Sequence, residues 1–176
     1  MNVIQRQEAN FEARVTIRVG GQALTIIQGW ASIDVSANGR IFRVICTHLE
    51  PTSPAVQVAQ GNELIASPAN TNLPLIIIGD FNSNASGTGT PTYGNFINAG
   101  FRDVWVEVGK GQGFTCCQGS DLLNAVSSLN RRIDFILLKN GWNPIVADVV
   151  GEEQHDRTST ALWPSDYAGV FASLQL

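Results

Sequence analysis

Leu75-Ile76-Ile77-Ile78-Gly79-Asp80-Phe81-Asn82-Ser83 decides how this chain folds. Four consecutive apolar residues, three of them β-branched, read as a short strand covered on both faces. The run stops at Gly79. A carboxylate and an amide, Asp80 and Asn82, follow at its carboxyl end, where open α/β sheets tend to bind ligands. Asp80 can hold a metal or orient water, and Asn82 can orient a phosphate. Asp-x-Asn is also ordinary turn chemistry.

Upstream of this strand the chain reads mostly as further strands. Residues 13–19 alternate apolar and polar, the period of a half-buried strand. Gly20-Gly21 is a hairpin signal, and residues 23–27 can return beside it. Residues 30–35 and 40–49 flank the turn Ala37-Asn38-Gly39. On the second of these strands Phe42, Val44, Cys46 and His48 share a face. His48 therefore ends an apolar stripe, and Cys46 reads as a small core residue. Ser53-Pro54 then starts a helix, with Ser as N-cap and Pro at the first position. It runs to about Ser67, weakened by Gly61.

Downstream, residues 91–98 read as a helix ended by Gly100, and residues 120–129 as a shorter third helix. Residues 132–138, 146–150 and 169–174 read as closing strands. Helices interleaved with strands, after early antiparallel hairpins, indicate an α+β fold of stacked sheets with helices outside.

Composition narrows the classes. The 176 residues suit a single domain spanning 1–176. A compact fold of 18.9 kDa exposes roughly 8,000 Å². Apolar residues make up 44% and charged residues only 15%, which fits a strand-and-loop protein with an uncharged polar surface. Net charge is −4, so no general basic footprint for nucleic acid exists. No apolar run reaches a membrane span, since residues 73–78 are broken by Pro74. The first eight residues lack the apolar core of a signal peptide, so the expected location is cytoplasmic unless a segment precedes them. Two His exclude a His-rich zinc site. Any metal would rest on carboxylates, which favours a hard cation such as Mg²⁺.

Three more segments can carry chemistry. In Thr47-His48-Leu49-Glu50, a His at a strand end can donate to a phosphate oxygen or protonate a leaving group; it can equally be a satisfied core His. In Arg131-Arg132-Ile133-Asp134-Phe135-Ile136-Leu137, Asp134 lies inside an apolar strand and needs either a function or an Arg partner. In Trp163-Pro164-Ser165-Asp166-Tyr167-Ala168-Gly169-Val170, Asp166 and Tyr167 feed the final strand, though Pro-Ser-Asp is also a turn.

Taken together, the order and spacing of the four segments resemble the C-terminal portion of the endonuclease/exonuclease/phosphatase superfamily, the DNase I-like fold. That family shows Thr-His-Leu, Gly-Asp-x-Asn, Arg-Ile-Asp-[Tyr/Phe] and Ser-Asp-His in this order. Gly113-Phe114-Thr115-Cys116-Cys117 and Leu162-Trp163-Pro164-Ser165-Asp166 look like one bacterial branch of it. The resemblance extends from about Asn10 to Leu176.

It implies a four-layer α-β-β-α sandwich, here shortened at the N-terminus. It also implies Mg²⁺ or Mn²⁺ at one edge of the sheets and hydrolysis of phosphodiesters or phosphomonoesters. By the same resemblance, Asp80 is the metal-proximal, water-orienting carboxylate and Asn82 its phosphate-positioning partner. His48 stabilises phosphoryl oxygens or assists the leaving group. Asp134 orients the His of the last motif, and Asp166 belongs to the metal site. The implied metal set is Asp80, Asn82 and Asp166.

Two departures qualify this. Tyr167 stands where the family has the last His. A phenol with pKa near 10 can donate a hydrogen bond at pH 7 but is a poor base. General acid–base work contributes about 10²- to 10⁴-fold, so its loss would leave weak activity or none. A packed ring hydrogen-bonded to Asp134 is the plain alternative role for Tyr167. Second, the family's upstream half, with its metal-binding Glu, is expected to be absent from this sequence. Glu8 of Gln7-Glu8 is not assigned that role, because it falls where a later segment belongs.

The expected function is an impaired phosphoesterase domain acting on a phosphate ester of unspecified class. A non-catalytic binding or structural module of the same fold is the alternative, and a fragment of a longer enzyme is a third reading. The charge does not favour double-stranded DNA. An uncovered sheet edge or apolar face would be a site for a homodimer. Cys116-Cys117 reads as two reduced thiols rather than a vicinal disulfide. His155 reads as solvated. Arg131, Arg132 and Arg157 are candidates for phosphate contacts or salt bridges. The four Trp read as core or strand-end packing.

Overall fold

One mixed sheet organises the chain in the computed structural model, which describes residues 1–176. The elements are β1 Asn2–Asn10, β2 Val15–Val19, β3 Gln22–Ile26, β4 Gly29–Ala37, β5 Arg40–His48, α1 Pro54–Ala66 and β6 Leu75–Asp80. There follow α2 Thr92–Asn98, β7 Arg102–Asp103, α3 Val104–Val108, β8 Asp134–Lys139, β9 Asn143–Val150, a 3₁₀ turn over Gln154–Asp156, and β10 Gly169–Gln175. The six-stranded sheet has the order β1-β4-β5-β6-β8-β7. β9 pairs with β10, and β2 with β3, as separate two-stranded sheets.

The apolar strand β6 occupies the middle of the large sheet, as its unbroken hydrophobicity requires. It runs parallel to β5 and antiparallel to β8. The β5-to-β6 crossover is α1, which begins at Pro54 as expected. α1 and α2 cover one face of the sheet. Ile45, Leu75, Ile77, Phe135 and Leu137 from the sheet bury there against Leu64 of α1 and Phe96 of α2. Gly61 has a packing reason: a Cβ at that position would stand 2.7 Å from Thr92 Cγ2. The glycine lets the two helices approach.

The other face is covered by less. Leu138, Ile76 and Ile136 pack against α3 and the β9–β10 sheet around Trp105, Ala147, Val149 and Val170. That sheet has only two strands; Phe42 at the start of β5 still packs on Trp142, but the carboxyl end of β5 is left open. Cys46 is exposed, which corrects its reading as a core residue. On β5 the buried residues near the site are Ile45 and Thr47, on the opposite face. The outer face of β9–β10 is bare too, with Val146, Val150 and Phe171 exposed. Accessible surface totals 9453 Å², above the roughly 8,000 Å² of a compact chain this size. The α+β sandwich is present in shortened form.

Three expectations are corrected. Residues 120–129 form turns, not a helix. Asp121 Oδ1 accepts from Leu123 N–H and Asn124 Oδ1 from Gly119 N–H, so side chains capture the backbone before a helix can. β1 lies where no strand was expected; it is exposed throughout and pairs along one edge with β4. α3 over Val104–Val108 is a short helix that was not expected, capped by Asp103 at the Trp105 N–H.

Candidate active site

The ends of β5, β6 and β8 bring three of the singled-out residues into one row. His48 is the register partner of Asp80 across the parallel pair, and Asp80 is the partner of Asp134 across the antiparallel pair. Register partners share a sheet face, so all three side chains leave on the same side. His48 Nε2 lies 3.6 Å from Asp80 Oδ2. Gly79 makes this possible. Its φ is 141°, and a Cβ there would fall 1.9 Å from the Thr47 carbonyl oxygen. Only glycine lets β5 and β6 close up immediately before Asp80.

Asn82 is held beside the row by its own turn. Its φ of 50° is left-handed, a region Asn tolerates better than most residues. The Asn82 N–H donates to Asp80 Oδ1 at 2.7 Å, and Asn82 Nδ2 donates to the Leu49 carbonyl at 2.8 Å. The Asn82 carbonyl accepts from Gln57 Nε2 of α1 at 2.8 Å. The Asp-x-Asn turn and the functional reading thus describe the same atoms.

Tyr167 reaches the row through the segment around Cys116. Cys116 forms isolated β-bridges to both Arg131 and Tyr167. Thr115 accepts from Ala168 N–H through its carbonyl, and its Oγ1 takes the N–H groups of Ile133 and Asp134 at 3.3 Å each. Gln118 N–H donates to the Asp166 carbonyl. Asp166 itself is exposed, with Oδ1 3.4 Å from Ser165 Oγ. Arg131 Nη2 lies 3.2 Å from the sulfurs of both Cys116 and Cys117.

The electrostatics are those of carboxylates held close together. Burial pushes the Asp134 carboxyl up to about 6, against the Thr115 hydrogen bond and with a further push from Asp80. Asp134 Oδ2 is buried and has no hydrogen-bond partner. Neither role weighed for this residue, an Arg salt bridge or a bond from Tyr167, is formed. Its neighbour Arg132 instead binds Asp103 at 2.7 Å. Burial also raises Asp80, opposed by the Asn82 N–H, by His48 and Arg131, and by the Tyr167 hydroxyl. Tyr167 is raised above the usual phenol value by burial and by Asp80, Asp134 and Asp166. Its hydroxyl is therefore protonated at neutral pH and faces three acids.

The side-chain oxygens of Asp80, Asn82, Asp134 and Asp166 suit a hard divalent cation in donor chemistry, three of the four are carboxylates, and Asp134 Oδ2 is orphaned. They do not converge as a finished cage, since no three Asp, Glu, His or Cys side chains gather at a single point.

The sequence profile of the endonuclease/exonuclease/phosphatase family matches residues 11–166. The chain belongs to that family. Among solved structures, this family member is similar to a mannosyl-6-phosphatase from Bacteroides thetaiotaomicron, with 17% identity and a TM-score of 0.67 over 99% of this chain and 67% of that one. It is similar to a family member from Bacteroides vulgatus, with 17% identity and a TM-score of 0.70 over 99% and 66%. It is also similar to D. rerio TDP2 in complex with a single-strand DNA product, with 16% identity and a TM-score of 0.68 over 99% and 68%. At these identities the likeness speaks for the DNase I-like fold. The chain spans about two thirds of the length of these structures. None of the curated proteins compared matches it. Family relatives generally depend on divalent metal ions.

Within the family fold, the structure assembles His48, Asp80, Asn82 and Asp134, with Tyr167 beside them, while Asp166 stands exposed at the rim. Glu8 is exposed on the edge strand β1, opposite Ala31. Of the other residues weighed, His155 is exposed and pairs with Glu153. Arg157 lies over the Trp163 ring, in a packing role. Sequence reasoning missed Thr115 and Gln57. Neither carries a local signal, because each acts on residues far away in the chain.

Proposed function

We propose that this protein is a divalent-metal-dependent phosphoesterase of lowered activity. The observation that carries the reading is the row His48, Asp80 and Asp134 with Asn82 clamped beside it. Hydrolysis forms a bond from water oxygen to phosphorus and breaks the bond to the leaving oxygen. The water gives up a proton, and the leaving oxygen takes one. Asp80 orients that water and, with no imidazole at position 167, is the weak base left to accept its proton. His48, exposed at its strand end, donates to a phosphoryl oxygen or protonates the leaving group. Asn82 and Arg131 steer phosphate oxygens. Asp80, Asn82 and Asp166 are the residues that would hold Mg²⁺ or Mn²⁺, which supplies Lewis-acid polarisation of the phosphoryl oxygen.

Tyr167 is the reason for lowered activity. A protonated phenol donates a hydrogen bond but does not take up the attacking water's proton. The same residue, with the unfinished metal cage, favours a second reading: a non-catalytic binding module on the family fold.

The deciding experiment assays p-nitrophenyl phosphate and its bis-ester with Mg²⁺ and with Mn²⁺. Slow, metal-dependent turnover that vanishes in Asp80→Ala is expected. No turnover from the wild type or from Tyr167→His would establish the non-catalytic reading.

A homodimer also belongs to this proposal. The bare outer face of β9–β10 is the surface that a second copy would cover.

A further inference from the structure

A cleft of about 240 Å³ opens beside Asn82 and Arg131. Asn84, Thr88, Pro51 and Pro54 are among its walls. It is smaller than the roughly 300–1,000 Å³ of drug-sized ligand sites. Its back wall is rigid. Gln57 is buried and takes the hydroxyls of Thr90 and Thr92 on Oε1, while its Nε2 holds the carbonyls of Glu50 and Asn82. Thr90 Oγ1 also reaches Ser83 Oγ at 3.1 Å, and Ser83 Oγ accepts the Tyr93 N–H at 3.0 Å. The cleft wall and the active-site turn are therefore one hydrogen-bonded unit.

The lining has a distinct chemistry. Arg131 is its one charged residue; it has no carboxylate and no aromatic ring. Arg131 engages the two sulfurs through Nη2 alone, which leaves its other donors for an anion. Asn84 Oδ1 is committed to the Ser86 N–H at 3.1 Å, and its Nδ2 is left to donate outward. Thr88 Oγ1 contacts Ser86 Oγ at 2.9 Å, so one of that pair keeps a free hydroxyl valence. Against these neutral polar groups stand the hydrocarbon faces of Pro51, Pro54 and Ile133.

A nucleobase asks for a stacking platform, and a polyanion asks for several cations. The cleft offers one cation, amides and hydroxyls, and a small apolar floor. A monosaccharide ring matches it, with C–H faces for the prolines and hydroxyls for the amides. We propose that this cleft receives the sugar of a monosaccharide phosphate, with the phosphate held between Arg131 and Asn82 at the edge of the catalytic row. The proposal rests on the phosphoesterase reading and assigns its substrate class.

The test is saturation-transfer NMR in Mg²⁺ buffer at low temperature, with glucose 6-phosphate, adenosine monophosphate and inorganic phosphate as probes. Glucose 6-phosphate is expected to receive saturation on its ring protons and to be displaced poorly by the nucleotide. Asn84→Ala and Thr88→Val should each weaken it about two- to tenfold, the loss of one hydrogen bond. Nucleotide binding as tight as the sugar phosphate overturns the proposal, and so do two variants that bind like the wild type. Preferential binding of glucose 6-phosphate without turnover of any ester leaves this assignment standing and removes the hydrolytic reading. Turnover of aryl esters with no preference for the sugar phosphate does the reverse.

Discussion

Asp134 stands directly opposite Asp80 across β6 and β8, with one buried carboxylate oxygen that nothing in the chain satisfies. Its folded pKa of about 6 lies above the unfolded value near 3.9. The folded state therefore holds the proton more tightly. The contribution of Asp134 to stability is fully present below about pH 4 and is lost as pH rises through 4 to 6. In EDTA, urea unfolding should show this loss, of order 3 kcal/mol at most. Asp134→Asn should abolish most of the slope and raise stability at pH 7. An unchanged slope in that variant would refute the assignment.

Tyr167 sits among Asp80, Asp134 and Asp166 as a protonated phenol. Tyr167→His places an imidazole there that exchanges protons at neutral pH. Metal-dependent ester hydrolysis should rise by about 10²-fold or more, the lower end of general acid–base catalysis. Tyr167→Phe should leave the slow wild-type rate within a few-fold. Equal rates for His and Tyr would show that proton transfer at this position is not what limits the site.

Gly79 admits no side chain, because any Cβ would overlap the Thr47 carbonyl oxygen. Gly79→Ala should cost more than about 3 kcal/mol, since it combines backbone strain with a steric clash. The expected readout is a large drop in melting temperature or loss of soluble protein. Gly21→Ala, in the open β2–β3 turn, should cost much less.

Asp103 and Arg132 form a buried ion pair at 2.7 Å, and Tyr93 donates to the same Asp103 oxygen at 2.8 Å. Removing one partner strands the other charge. Asp103→Ala should lose about 3–5 kcal/mol in urea unfolding. This network fixes the residue two positions before Asp134, so the variant should also lower whatever hydrolysis the wild type shows.

Phe171 and Val150 lie exposed on the outer face of β9–β10. Light scattering across a concentration series should show a dimer. Phe171→Asp should shift it to monomer without unfolding, because the side chain is already in solvent. A concentration-independent monomer for the wild type would remove the self-association proposal.

Much of this architecture was legible in the sequence. The apolar strand ending in Gly79-Asp80 and the Ser53-Pro54 helix start were readable because their signals are local. His48, Asp80 and Asp134 could be named singly, but their common row depends on strand register, which no local pattern encodes. The helix expected over residues 120–129 failed because Asp121 and Asn124 offer the backbone nearer partners. α3 was missed because five residues rich in Val carry no helix signal, although Asp103 caps it at Trp105 N–H. Cys46 was misread because the stripe it belongs to is apolar, and the sequence does not say how far a second sheet reaches.

Tyr167 lies just ahead of β10, whose other edge is unpaired and whose only strand partner is β9. The row of acids belongs to the middle of a six-stranded sheet, but the residue that faces them is moored to a two-stranded one. Opening of that C-terminal hairpin, together with the Cys116–Tyr167 bridge, would carry Tyr167 away while His48, Asp80 and Asp134 keep their register. The proton inventory of the site is thus set in part by a smaller sheet than the one that carries the acids.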